Sequence, residues 1–307
     1  MKKSLLCVLL FISVICLGCK SIVLSSLNQL EDDYEIIMKR DILCLMMAYP
    51  DYITGAEKME NESVFIIMKS GKRVLYDDKR QKTFEMKMSN PDIQDMMEVI
   101  YPINDIKALM PLECDPGRIR VYSILKEVYG STKEKIQSNL TGVKFGYKSL
   151  SFNKNNNAAC ALTEVSKELI PLAYNKSKIY SCLFPPSGTF NYRNISGTNL
   201  LSPHSFGIAI DLSKDKRDYW KWTNRETGEK RMLSYPREIV KIFEKNNFIW
   251  GGKWGHFDIL HFEYRPEIIY KALYFSKAPD KDSPWYSGLD KRDDNIRKYI
   301  ETIDNAL

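Results

Sequence analysis

The chain has 307 residues, 44% hydrophobic and 12% aromatic, which is the composition of a folded globular protein and excludes a disordered polymer. Its 45 basic and 39 acidic residues leave a formal charge of +6 with no strong block of either sign. There is no zinc-finger spacing and no Arg-rich run interleaved with aromatics, so nucleic acid is not an expected partner.

Lys2-Lys3 precede an apolar run from Leu5 to Leu17 that is too short to span a bilayer and reads as an export signal over residues 1–18. The run ends in Ile15-Cys16-Leu17-Gly18-Cys19, which resembles a bacterial lipoprotein signal. The resemblance implies a lipid on Cys19 that holds the chain to a membrane; ordinary signal cleavage is the alternative, and either way the protein is exported to the cell envelope or periplasm. Four cysteines remain, Cys44, Cys114, Cys160 and Cys182. An even number in an oxidising compartment permits two disulfides, with free buried thiols as the other reading.

Residues 19–114 form an N-terminal extension or lobe with no recognisable chemistry. Strands are predicted at Ser63–Lys69 and Arg73–Tyr76 around a turn at Ser70-Gly71. A helix is expected from Asn90-Pro91 to about Tyr101, with asparagine as cap and proline in the first turn. Pro116-Gly117 opens a second segment, residues 115–275. Helices are expected over Ile119–Val128 and Asn156–Leu172, the latter with Ala159, Leu162, Val165 and Leu169 at helical spacing. Ile208–Leu212 is strand-like, and Lys214–Arg231 reads as a polar and aromatic excursion over the surface. A helix over Pro236–Asn246, strands at Phe248–Trp250 and His261–Tyr264, and a helix over Pro266–Phe275 follow. A Pro/Asp/Ser-rich linker and an amphipathic helix at Asp294–Leu307 complete residues 276–307. Short strands and helices alternate irregularly, which predicts an α+β fold: a small antiparallel sheet with flanking helices, plus the N-terminal extension.

All three histidines of the chain, His204, His256 and His261, fall within 58 consecutive residues. His204 and Asp211 are seven apart, which in an unbroken strand would send them to opposite faces. The chain must therefore bend between them, and Gly207 is the residue that permits it. His204 is placed on the turn and Asp211 on the following strand, with Ala209 beside it and Ile208 and Ile210 toward the core. Asp258 and His261 lie three apart, His261 entering a strand and Asp258 on its approach. Two imidazoles and one carboxylate suit Zn2+ with one position left open, and a second carboxylate, Asp258, is set back as a base.

The residues Ser202-x-His204-x-x-Gly207-x-Ala209-x-Asp211 and Asp258-x-x-His261 resemble the signature of the VanY-type zinc peptidases, relatives of D-Ala-D-Ala carboxypeptidases, L-Ala–D-Glu endopeptidases and hedgehog domains. The similarity extends from about Asp115 to Phe275 and includes Gly188-Thr-Phe-Asn-Tyr-Arg193 and Trp250-Gly-Gly-Lys-Trp254. It implies that His204, Asp211 and His261 bind zinc, that Asp258 is the catalytic base, and that Arg193 stabilises the developing oxyanion. The implied substrate is a peptidoglycan stem peptide, cut at either a D-Ala–D-Ala or an L-Ala–D-Glu bond. Glu263 shares a strand face with His261 and is placed to orient it. His256, Trp250 and Trp254 are each read either as cleft wall or as packing. Two other classes stay in play: a binding protein that keeps a structural zinc, and a non-haem iron oxygenase. The second usually spaces its first histidine and carboxylate two apart, not seven.

Overall fold

The protein is described by a computed structural model covering residues 33–280 and 282–307. The export signal at residues 1–18 and Cys19 lie outside the described residues. The fold is α+β, with three small antiparallel sheets among many short helices. Among the described residues, no helix is long and apolar enough to cross a membrane.

The first sheet is β1 (Ile53–Lys58), β2 (Val64–Met68) and β3 (Arg73–Leu75) in that order. Val64, Ile66 and Met68 alternate inward along β2, the period that a one-sided strand requires. A helix over residues 33–48 precedes it, and the C-terminal helix Asp294–Ala306 returns to cover β1 with Ile300 and Ile303. The expected helix at Asn90 begins later, at Ile93–Met97. Asp92, not Asn90, caps it, through a reciprocal capping box with Asp95. A separate short helix, Phe84–Ser89, comes before it, capped by Thr83.

The second sheet is a hairpin, β4 (Leu140–Phe145) and β5 (Lys148–Asn153), packed on the helix Ala158–Asn175. The third sheet has the order β6 (Ala209–Asp211), β8 (His261–Tyr264), β7 (Phe248–Trp250). One of its faces is apolar: Phe262 stacks on Phe243 of the helix Arg237–Lys245 at 4.0 Å between ring centroids, and Trp250 is fully buried against Tyr235. Trp250 is therefore core. The opposite face carries the polar residues described below.

Buried polar contacts join the N-terminal segment to the rest. Asp41 on the helix 33–48 lies 2.6 Å from Lys271 on the helix Pro266–Tyr274, and Tyr76 donates to Asp41 at 3.0 Å. The Tyr49 hydroxyl donates to Glu267 at 2.8 Å, and Tyr101 donates to Glu244, which also pairs with the buried Lys253. Such pairs act less by net attraction than by the cost of leaving either charge alone in the interior. The cysteines Cys44, Cys114, Cys160 and Cys182 are all free thiols.

Asp41→Ala leaves Lys271 buried without its counter-charge. We expect the variant to lose about 3–5 kcal/mol of unfolding free energy, read from the urea midpoint. An unchanged midpoint would show that this pair does not join the two segments.

Candidate metal centre

The register of the third sheet builds the site. Asp211 is the direct cross-strand partner of His261, and Ala209 of Glu263. Directly opposed residues in an antiparallel pair project from the same face, so Asp211 and His261 meet there. Asp211 Oδ1 lies 2.9 Å from His261 Nδ1. In the next row the small Ala209 leaves space for the Glu263 carboxylate, which is fully buried.

His204 arrives by a reversal. Ser202 caps a one-turn helix, Pro203–Phe206, and Gly207 ends it in the left-handed conformation at φ +68°. The left-handed conformation is what favours glycine there, and a Cβ would also press on the tip of Leu140 at 2.7 Å. The reversal brings His204 Nε2 to 3.2 Å from Asp211 Oδ1. The other ring nitrogen, Nδ1, faces the Thr189 carbonyl at 2.6 Å, which fixes the ring orientation and turns Nε2 toward Asp211. One ligand atom from each of His204, Asp211 and His261 falls within 4.8 Å of the other two.

Charge is balanced one layer out. Glu263 Oε2 lies 3.7 Å from His261 Nε2, on the side of the ring away from Asp211. Arg120 grips Glu263 with two hydrogen bonds, at 2.8 and 2.5 Å. Burial opposes a charged Glu263, but Arg120 outweighs it and holds the carboxyl well below its ordinary range. Asp211 is likewise held low: burial alone would raise it, and the charge and hydrogen bonds of His204 and His261 prevail. Burial works against protonating His261, yet hydrogen bonds to Asp211 and Glu263 push its pKa up to about 10. Two carboxylates thus face this ring, one at each nitrogen.

Asp258 sits on the approach to β8. Its N–H donates to the Gly251 carbonyl at 2.9 Å, and its own carbonyl accepts from the His261 N–H at 3.1 Å. Gly251 is needed for that approach, since a Cβ would stand 2.6 Å from the Asp258 carbonyl oxygen. Burial pushes the Asp258 carboxyl up to about 7, against the opposing pull of His261. Its surroundings favour the neutral acid more than water does, so it gives and takes a proton near neutral pH.

These residues line a cleft of ≈ 900 Å³. Arg193 reaches its rim from an exposed loop, fixed through its backbone: Ser205 Oγ accepts from Arg193 N at 2.8 Å and donates to Arg193 O at 2.6 Å. Trp254 lines the cleft, 5.7 Å from the His261 ring. His256 lines it too, bound through Nδ1 to Asp115 at 2.9 Å and stacked on Phe84. Lys214–Arg231 is not simply a surface excursion: Tyr219, Trp220 and Trp222 form part of the cleft wall, and a buried Asp218–Arg231 pair at 2.7 Å anchors it. A helix, Arg225–Ser234, starts within it.

Sequence reasoning missed Arg120, Arg118 and the Thr189 carbonyl. Arg120 and Glu263 are 143 positions apart, and a backbone acceptor carries no signal in residue type. The short Gly-Arg-x-Arg run at Gly117–Arg120, beside the Asp115-Pro116 turn, was the one local cue.

Residues 196–264 match the D-alanyl-D-alanine carboxypeptidase family. The resemblance read from the two motifs is borne out over that segment, and the match supports a peptidase. The matched stretch holds His204, Asp211, Asp258 and His261, while Arg193, Arg118 and Arg120 lie before it. Comparisons with curated proteins and with solved structures give no match.

Asp211→Ala removes the atom that both imidazoles share and should abolish binding of an added divalent cation. Glu263→Gln, which leaves the three donors in place, should weaken it roughly 10- to 100-fold. Competition with a chelating dye reads both; wild-type affinity in Asp211→Ala would contradict the assignment of the site.

Proposed function

We propose that the protein is a zinc-dependent peptidase that hydrolyses an amide bond in peptidoglycan stem peptides, with residues 115–275 as the catalytic unit. The family match supports a peptidase of this kind. The observation that carries the reading is the convergence of two imidazoles and one carboxylate beside a second, protonatable carboxylate in one cleft.

The donor set fits zinc. In a tetrahedral site with bonds of about 2.0–2.2 Å, ligand atoms sit roughly 3.3 Å apart, and the two donor separations here are 3.2 and 2.9 Å. At this site only three such donors converge among the described residues, whereas a purely structural zinc site closes all four positions with protein ligands. That favours a catalytic role over a binding protein. Bound by His204, Asp211 and His261, zinc would supply Lewis-acid chemistry, polarising a carbonyl oxygen and making water more acidic.

The chain's own residues do the rest. Asp258 takes a proton from the attacking water and returns it to the departing amine, a cycle suited to a carboxyl lifted to about 7. Arg193, at the rim, offers a cation to the oxygen that becomes negative as the carbonyl carbon turns tetrahedral. Thr189 and Glu263 hold the two imidazoles in orientation so that neither need reorganise during turnover. Aromatic walls at Tyr219, Trp220, Trp222 and Trp254 limit bulk water around the reacting groups. The same reading includes export of the chain and a membrane anchor at Cys19.

Mass spectrometry of pentapeptide stems and wall fragments incubated with the zinc-loaded protein tests it. Loss of one terminal alanine identifies a carboxypeptidase, and cleavage after the first L-Ala an endopeptidase. Asp258→Ala should keep its zinc and lose about 10²- to 10⁴-fold in turnover. No cleavage of any stem with zinc in place, or near-normal turnover in the variant, contradicts the proposal.

A further inference from the structure

Asp115 is a buried carboxylate outside the metal centre, with no side-chain exposure. It accepts from the His256 N–H at 2.9 Å, from His256 Nδ1 at 2.9 Å and from Arg118 Nη1 at 2.5 Å. Three donors satisfy its two oxygens without further help from Arg118. The arginine is used sparingly in return. A guanidinium that served only to neutralise Asp115 would do so through two parallel hydrogen bonds, the stronger arrangement. Here a single nitrogen is engaged, and among the described residues Nε and Nη2 find no acceptor.

The unused edge belongs to a side chain that lines the cleft and keeps 20% of its surface accessible. Its position is fixed on two sides. Asp115 holds Nη1, and the guanidinium carbon lies 5.8 Å from the Trp254 ring centre, a cation–π contact. Trp254 is itself tied by its indole N–H to the Pro116 carbonyl at 2.9 Å, and its far neighbour is His261 at 5.7 Å. One aromatic residue therefore separates Arg118 from a proposed metal ligand. That spacing is the reach of two or three residues of extended peptide, at about 3.4 Å each.

We propose that the free edge of Arg118 binds a carboxylate of the substrate peptide, with Asp115 as the residue that positions it. This rests on the peptidase reading above. It makes Arg118 a specificity-determining residue: a peptide that presents a carboxylate a short distance from the scissile amide is held in register with Asp258. An uncharged amide at that point leaves the free edge of the guanidinium without its charged acceptor, and a site built to hydrogen-bond one group discriminates against an analogue that lacks it. Peptidoglycan stems of the lysine type, the ones used below, offer two such groups, the terminal D-alanine carboxylate and the free carboxylate of D-glutamate.

The test is calorimetric binding to the zinc-loaded Asp258→Ala protein, in which turnover does not intervene. Four ligands are compared: a pentapeptide stem, its C-terminal amide, its glutamate amide and the doubly amidated peptide. We expect one single amide to bind roughly tenfold or more weakly than the parent, which names the carboxylate, and the doubly amidated peptide to bind no better. Adding Arg118→Gln should bring parent and amides to the same affinity. Arg118→Lys, which keeps the charge and the Asp115 contact, should retain part of the preference and confirms that the fold tolerates change there. Equal binding of parent and doubly amidated peptide, an undiminished preference in Arg118→Gln, or no binding of the parent stem overturns the proposal. Turnover by the unmodified protein separates the two claims: cleavage without carboxylate discrimination removes only the role of Arg118, while zinc-loaded protein that cleaves nothing removes the peptidase reading.

Discussion

The pairing of β6 with β8 is the constraint on which the rest depends. Asp211 faces His261 only because Ile210 is opposite Phe262 and Ala209 opposite Glu263. A slip of one residue would turn Asp211 into the apolar layer against Phe243 and expose Ile210 in its place. The register is thus held by the core face of the sheet, while its consequence appears on the other. Burial of Phe262, Ile210 and Trp250 supplies the driving force, at about 25 cal/mol per Å² of apolar surface removed from water, and the polar row follows from the period of two.

The polar face then needs its charges closed. His204, Asp211, His261, Glu263, Arg265 and Glu267 form a chain of alternating basic and acidic side chains that runs from the cleft into the interior, with Arg120 as a second partner of Glu263. Arg265 and Glu267 are wholly buried, and Glu267 meets the Tyr49 hydroxyl beside the N-terminal helix. Residues before position 115 consequently do more than cover residues 115–275. They terminate the charge network, and with Phe84 and Met88 they wall the cleft. A site that must keep Asp211 ionised and Asp258 easily protonated needs different surroundings for two nearby carboxylates, and this layered arrangement provides them.

Where sequence and structure agree, the cause is local. Phe248–Trp250 is a short apolar run and His261–Tyr264 a short alternation of polar and aromatic residues, each bounded by turn residues, and both strands are found with those ends. Gly207 was legible because a separation of seven between His204 and Asp211 required a bend and only one nearby residue allows it. The convergence of His204, Asp211 and His261 was legible because residue types, spacing and the family motif all pointed to it. What stayed hidden depends on distant partners. The hairpin Leu140–Asn153 is polar on much of its surface and shows its inward residues only once the helix Ala158–Asn175 packs on it. Asn90 was a plausible cap until Asp92 and Asp95 proved able to cap each other. Arg118 and Arg120 gave only the short Gly-Arg-x-Arg run as a local sign, since Trp254 and Glu263 reach them from more than a hundred residues away.

The central claim is that His204, Asp211 and His261 together hold one zinc ion. X-ray absorption at the zinc edge, on protein loaded to one equivalent, tests it most directly. The account predicts a first shell of nitrogen and oxygen only, at about 2.0–2.1 Å, with the outer scattering of two imidazoles and no sulfur. A sulfur contribution, or the scattering of a single imidazole, would place the metal elsewhere and contradict the account.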